Sequence, residues 1–168
     1  MRNKAKRFII TALGASVVCI FTALLQIPIP GGGGYINPGD AFIYIFACSL
    51  PFPYGIFAGS IGASLADIFT GWPVYALPTF IIKSLMAVAF TNKKSAISPR
   101  NILALLWATV VLVSGYFVAE IFLFGKEVAL VNTPYNTVQG CISAIIYIFI
   151  SAILSKSQAY KSFKEGLL

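Results

Sequence analysis

The 168-residue chain has no histidine, and its three cysteines (Cys19, Cys48, Cys141) sit singly inside apolar runs. A His-based triad is therefore excluded, and no zinc-like spacing exists. Only 10% of the residues are charged and five are acidic, against the roughly 25% charged residues of an average soluble domain. Isolated cysteines of this kind read as small buried hydrophobes. There is no Gly-x-x-x-x-Gly-Lys-Ser/Thr phosphate loop, so uphill movement of a solute needs an ion gradient or another subunit. No repeat, second domain or soluble module is visible, and no metal or cofactor is expected.

What is present is apolar length. The chain is 58% hydrophobic, which marks an integral membrane protein. Six helices are expected, at roughly 8–27, 40–52, 54–70, 74–90, 101–124 and 134–154, in one domain. The breaks are Pro28 to Pro30, Pro51 to Pro53, Gly71-Trp72-Pro73, the polar stretch 91–99, and a loop over 125–133. Basic residues precede the first apolar run, but no small-x-small cleavage site follows, so it reads as a retained helix. Ten of the twelve Lys/Arg fall at the N-terminus (Arg2, Lys4, Lys6, Arg7), in the central loop (Lys93, Lys94, Arg100) and in the tail (Lys156, Lys161, Lys164). The positive-inside rule then makes the fold an all-α bundle of six transmembrane helices with both termini cytoplasmic. Five spans plus a re-entrant hairpin would separate the central loop from the tail and break that rule.

Charges inside apolar runs are costly, and mark either a structural pair or a site. Asp67 lies near the outer end of helix 3, and Lys83 lies about 14 Å down helix 4. Together they suggest an ion pair or part of a pocket. Tyr75 and Thr79 share the i+4 stripe of Lys83, and Glu120 lies one turn below the outer end of helix 5. Asn136, Gln139, Gly140 and Ser143 share one face of helix 6. These groups gather in the outer half, beneath the Gly31 to Gly39 loop and Trp72. The inner half carries nothing comparable, so a pocket open to the outside is expected, not an ion path. Asp40 is placed to cap helix 2, and Trp72 fits an interfacial belt as well as a stacking surface. In helix 3, Gly55, Gly59 and Ala63 recur every four residues and suit close packing within the bundle.

With Tyr35-Ile36-Asn37-Pro38-Gly39-Asp40, the small-residue run Gly55 to Ala66 closing on Asp67, and Pro78-Thr79-Phe80-Ile81-Ile82-Lys83, the chain resembles the substrate-binding S-components of energy-coupling factor (ECF) transporters. The likeness is nearest to the riboflavin, hydroxymethylpyrimidine and pyridoxine-like branch. It implies a multi-pass protein of the prokaryotic plasma membrane that captures a vitamin outside. The vitamin would be delivered inward with a membrane T-component and two cytoplasmic ATPases. Asn37, Lys83, Glu120, Asn136 and Gln139 would bind the ring, with Tyr35, Trp72 and Tyr75 stacking or closing over it. Asp67 would hold Lys83, and Asp40 and Thr79 complete the candidate site. The family's Ala-x-x-x-Ala docking patch corresponds to Ala12-Leu13-Gly14-Ala15-Ser16, with Ser16 in place of the second alanine. The alternative reading is a self-contained proton-coupled carrier, or an intramembrane enzyme built on Asp67 and Lys83.

Overall fold

A computed structural model describes residues 2–31, 34–93 and 95–167. Gly32 and Gly33 of the expected lid and Lys94 of the basic loop lie outside the described residues. Among the described residues three helices are long and apolar enough to cross a membrane: α1 (Arg2–Leu24), α5 (Pro99–Phe124) and α6 (Lys126–Lys156). Three apolar helices are shorter: α2 (Gly39–Ser49), α3 (Tyr54–Phe69) and α4 (Ala76–Ala87), the last preceded by a 3-10 turn at Pro73–Tyr75. The short amphipathic α7 (Gln158–Glu165) ends the described chain.

The 11 residues of α2 rise only about 16 Å, half of a hydrocarbon core. Such a helix survives in lipid when protein surrounds it. Here α2 packs against α1, α3, α4 and α6, and nine of its residues are buried. Small residues permit this. A side chain at Gly55 would meet the backbone of Phe46 and Ala47, one at Gly59 would meet Ile43, and one at Gly62 would strike the Ala15 carbonyl. The first two fit α3 onto α2, and the third seats it on α1.

Two boundaries differ from expectation. The segment after α1 is not a plain loop but a two-stranded antiparallel hairpin, β1 (Ile27–Pro28) and β2 (Tyr35–Ile36), with Ile27 opposite Ile36. Gly31 (φ 71°) and Gly34 (φ 131°) make the turn that L-residues rarely follow. Second, α6 begins at Lys126, not near 134, so the expected loop over 125–133 is helix and Pro134 lies inside it. Pro134 has no N–H for the Leu130 carbonyl, and threonine hydroxyls bond the backbone of the adjoining turns: Thr133 Oγ1 donates to Ala129 O at 2.7 Å. Thr137 Oγ1 donates to Thr133 O at 3.0 Å.

One to two turns beyond the polar residues of α2, α4 and α6 lies an aromatic layer. Tyr44 stacks on Phe90 at 4.9 Å between centroids, and Tyr147 meets both edge-on at 5.9 and 5.7 Å. On its far side is a polar cluster that the sequence reading did not foresee. Ser49 Oγ and Tyr160 OH are 2.7 Å apart, and Ser151 is 1% exposed. The cluster forms because α7 folds back. Tyr160 reaches α2, Leu167 enters an apolar group with Leu50 and Ala58, and Arg7 Nε donates to Leu167 O at 3.0 Å.

Candidate functional site

On the other side of the aromatic layer, residues of α1, α3 to α6 and the hairpin segment line a small polar chamber. Its walls include Thr22, Ile29, Gly34, Tyr35, Asn37, Ala63, Asp67, Tyr75, Thr79, Lys83, Tyr116, Glu120, Asn136 and Gln139. Nine of these are sequence candidates, brought together from β2 to α6. Asp40 lies just behind the wall, bonded to Lys83 and Gln139. Trp72 is not in the wall; it sits edge-on to Tyr75, 6.2 Å between ring centroids, and is half-buried.

The floor is an ion pair, but not the expected one. Lys83 Nζ lies 2.7 Å from Asp40 Oδ1, and both side chains are buried. Asp67 does not hold Lys83; Oδ1 of Asp67 accepts the Tyr35 hydroxyl at 2.7 Å. Nor does Asp40 cap α2, because Pro38 occupies the N-cap position and Asp40 stands in the first turn with its carboxylate turned inward. In that turn the helix dipole favours a carboxylate. The two oxygens of Asp40 are divided: Oδ1 faces Lys83 and Oδ2 accepts from Gln139 Nε2 at 2.7 Å. Gln139 Oε1 in turn accepts the Asn37 backbone N–H at 3.0 Å. A continuous polar chain thus runs from α4 through α2 and α6 to the hairpin's root.

The roof is fastened at two points. Tyr35 ties β2 to α3 through Asp67, and Asn37 ties the residue after β2 to α6 through Gln139. The Asn37 side chain is occupied locally, accepting from Gly39 N at 2.8 Å. Gly39 itself must be glycine, since a side chain there would run into Thr22.

The third wall joins α5 and α6. Glu120 Oε1 accepts from Asn132 Nδ2 at 2.8 Å and from Tyr75 OH at 3.3 Å. Thr79 and Tyr116 share a hydroxyl hydrogen bond of 2.8 Å, and Lys83 Nζ stands 5.2 Å from the centre of the Tyr116 ring. The sequence reading missed Tyr116 and Asn132. Tyr116 precedes Glu120 by four residues and so shares its face. Asn132 precedes Asn136 by four but fell in the segment read as a loop. Thr22 was missed too, because nothing in an apolar helix end marks one threonine among others.

Four buried polar atoms on the chamber wall lack a hydrogen-bond partner among the described residues: Lys83 Nζ beyond its ion pair, Asp67 Oδ2, Glu120 Oε2 and Asn136 Nδ2. Buried polar groups are otherwise satisfied almost everywhere in proteins, so these point to a ligand or water. The space itself is about 30 Å³, room for a water molecule or two.

The expected docking residues lie elsewhere. Ala12 and Ser16 are exposed on α1, and Ala15 is buried between them as the floor of a surface groove shared with Ile61, Leu65 and Phe69 of α3.

Comparison with known proteins agrees with this architecture. A solved structure of the S component of a bacterial ECF transporter superposes with a TM-score of 0.67. The match covers 90% of this chain and 96% of that one at 17% identity, so the likeness is one of fold. An uncharacterised protein of Pyrococcus woesei, described by its place in a gap 3'region, is 34% identical over 131 residues. That alignment spans 77% of this chain and 87% of the relative. Residues 2–156 match the family described as ECF-type riboflavin transporter, S component. Members of that family are substrate-binding subunits of membrane vitamin transport, not enzymes, which removes the intramembrane-enzyme reading of Asp67 and Lys83. The chain belongs to the ECF-type riboflavin transporter S component family.

Proposed function

We propose that this S component captures a planar, heteroaromatic vitamin of the riboflavin kind in the chamber beneath the hairpin. It then delivers the vitamin inward together with a membrane T-component and two ATPases. The observation that carries the reading is the set of open valences on the wall. Lys83 and Asn136 offer donors, and Asp67 and Glu120 each offer an acceptor oxygen, all buried. A uracil-like ring edge presents two carbonyl acceptors beside one N–H donor, which the two donors and one of the two acceptors would meet, leaving the other acceptor for a ligand hydroxyl. Hydroxymethylpyrimidine and pyridoxine lack that imide edge but carry ring nitrogens with amino or hydroxyl groups, and are the alternative ligands. Tyr35, Tyr75 and Tyr116 supply apolar ring faces around it, with Asn37, Thr79 and Gln139 lining the rest.

A ligand pocket for a drug-sized molecule holds roughly 300–1,000 Å³, about ten times this chamber or more. Binding therefore requires the roof to lift or wall side chains to move. The two latches from Tyr35 and Asn37 are the bonds that must yield. Six membrane passes with both termini cytoplasmic, in a prokaryotic plasma membrane, would set the chamber to face outward. The exposed Ala12 and Ser16 beside Ala15 would meet the T-component. The absence of a phosphate loop in this chain fits ATP hydrolysis by separate subunits.

The test is titration of detergent-purified protein with riboflavin, without ATP, read as quenching of flavin fluorescence. Saturable one-to-one binding is expected, weakened about tenfold or more in Asn136→Ala, because one buried hydrogen bond is lost. Mass spectrometry of co-purifying small molecules serves as the unbiased companion. No saturable binding of riboflavin, hydroxymethylpyrimidine or pyridoxine, and no co-purified heteroaromatic, would overturn the reading. Uptake driven by a pH gradient in vesicles holding only this protein would replace it with a carrier.

A further inference from the structure

The chamber has a neighbour. Beside the hairpin's root lies an apolar groove of about 380 Å³, lined by Leu24, Leu25, Ile27, Ile36, Pro38 and Ile142 together with Gln26, Asn37 and Gln139. Asn37 and Gln139 line both spaces. The partition between chamber and groove is thus made in part by one hydrogen bond, Asn37 N–H to Gln139 Oε1 at 3.0 Å. The chamber alone is some tenfold too small for a vitamin, whereas the groove falls within the ordinary range for a ligand pocket. Among the described residues the Gln139 side chain bonds Asn37 and Asp40. A rotation of this unbranched side chain opens the partition, and a ligand reaching Lys83 and Asp40 can then satisfy the groups Gln139 leaves.

We propose that this groove is the second half of the ligand site, joined to the chamber when Gln139 turns aside. Its occupant is the apolar edge of the same planar ligand whose polar edge faces Lys83, Glu120 and Asn136. The inference rests on the proposed vitamin-binding function and adds where the ligand lies and which residues select its apolar edge. The chemistry of the two spaces divides accordingly. The groove carries aliphatic side chains from the end of α1, both hairpin strands and α6, while the chamber carries the charges. A ligand polar along its whole rim would leave the aliphatic half unused, and one apolar throughout would strand the chamber's donors. An amphipathic planar ring satisfies both.

The test fills the groove and leaves the chamber intact. Ile142→Trp and Leu25→Trp each place a bulky ring in it from a partly exposed position, 42% and 49% respectively. Leu103→Trp, on the exposed face of α5 and 64% exposed, is the control. Each purified variant is titrated with riboflavin, with thermal midpoints measured in parallel. Both groove variants are expected to keep the wild-type midpoint within a few degrees and to bind riboflavin about tenfold more weakly or worse. The control is expected to bind as wild type. Wild-type affinity in both groove variants would overturn the inference while leaving the parent reading standing, and would assign the groove to a lipid acyl chain. Absence of riboflavin binding by the wild-type protein would overturn the parent reading, and this inference with it.

Discussion

Removing one partner of the Lys83–Asp40 pair is the sharpest perturbation the structure offers. The two groups touch at 2.7 Å with side chains only 3% and 2% exposed, so neither has water to fall back on. Asp40→Asn keeps the size and the acceptor for Gln139 but strands the ammonium of Lys83. Breaking a buried pair from one side costs about 3–5 kcal/mol. For a chain of 168 residues, 1 kcal/mol moves the midpoint by roughly 2–4 °C, so the expected drop is about 6–20 °C. The matched variant Asp40→Leu with Lys83→Met removes both charges and should recover most of that loss, because a well-packed apolar pair replaces a buried ion pair at little cost. Asp67→Asn keeps a neutral bond to Tyr35 and should cost about 1 kcal/mol, a few degrees at most. The assay is thermal unfolding in one detergent, followed by thiol-reactive dye or loss of soluble monomer. An Asp40→Asn midpoint within 2 °C of wild type, or an Asp67→Asn loss as deep as that of Asp40→Asn, would refute the pairing (both thresholds derive from the same scaling).

Tyr35→Phe removes the roof's bond to Asp67 at 2.7 Å; a charge-assisted bond of this type is worth about 1.5–3 kcal/mol, so riboflavin dissociation in stopped-flow should quicken by about 10- to 150-fold. Gly62→Val drives a branched side chain into the Ala15 carbonyl and should cost about 1–3 kcal/mol in thermal stability. Gly71→Val meets no atom within 4 Å and any loss there reflects its φ of 88° alone. Ala12→Trp on the exposed face of α1 should abolish co-purification with a co-expressed T-component and ATPases but leave riboflavin affinity within about twofold. Retained assembly in that variant would move docking to another surface.

The residues that line the chamber were legible because charged and amide side chains are rare in apolar helices and carry their own spacing. Tyr75, Thr79 and Lys83 fall on one stripe, and Asn136 and Gln139 on another, so geometry follows from the α-helical period. Pairing was not legible. Asp40 and Asp67 both stand within reach of the Lys83 level, and only the inward turn of the first residues of α2 decides between them. That turn depends on Pro38 holding the N-cap, a tertiary fact. Pro134 misled for a simpler reason: a proline with polar neighbours reads as a helix start, yet the helix Lys126–Lys156 runs straight through it. The hairpin roof escaped because its strands have two residues each, below any usable alternation.

The aromatic layer of Tyr44, Phe90 and Tyr147 has a consequence for the cell that makes this protein. On whichever face the chamber opens, its water ends against three packed rings, and the polar cluster around Ser49 and Tyr160 begins only beyond them. The hydroxyls in that layer belong to Tyr44 and Tyr147, and the Tyr147 hydroxyl donates to Ala96 O at 2.7 Å. On the proposed function, a subunit so built would hold a charged binding site inside the bilayer without opening a hydrogen-bonded path for protons across it. It could then stand in the membrane in excess of the proposed energising partners and cost the cell no ion-motive force while it waits.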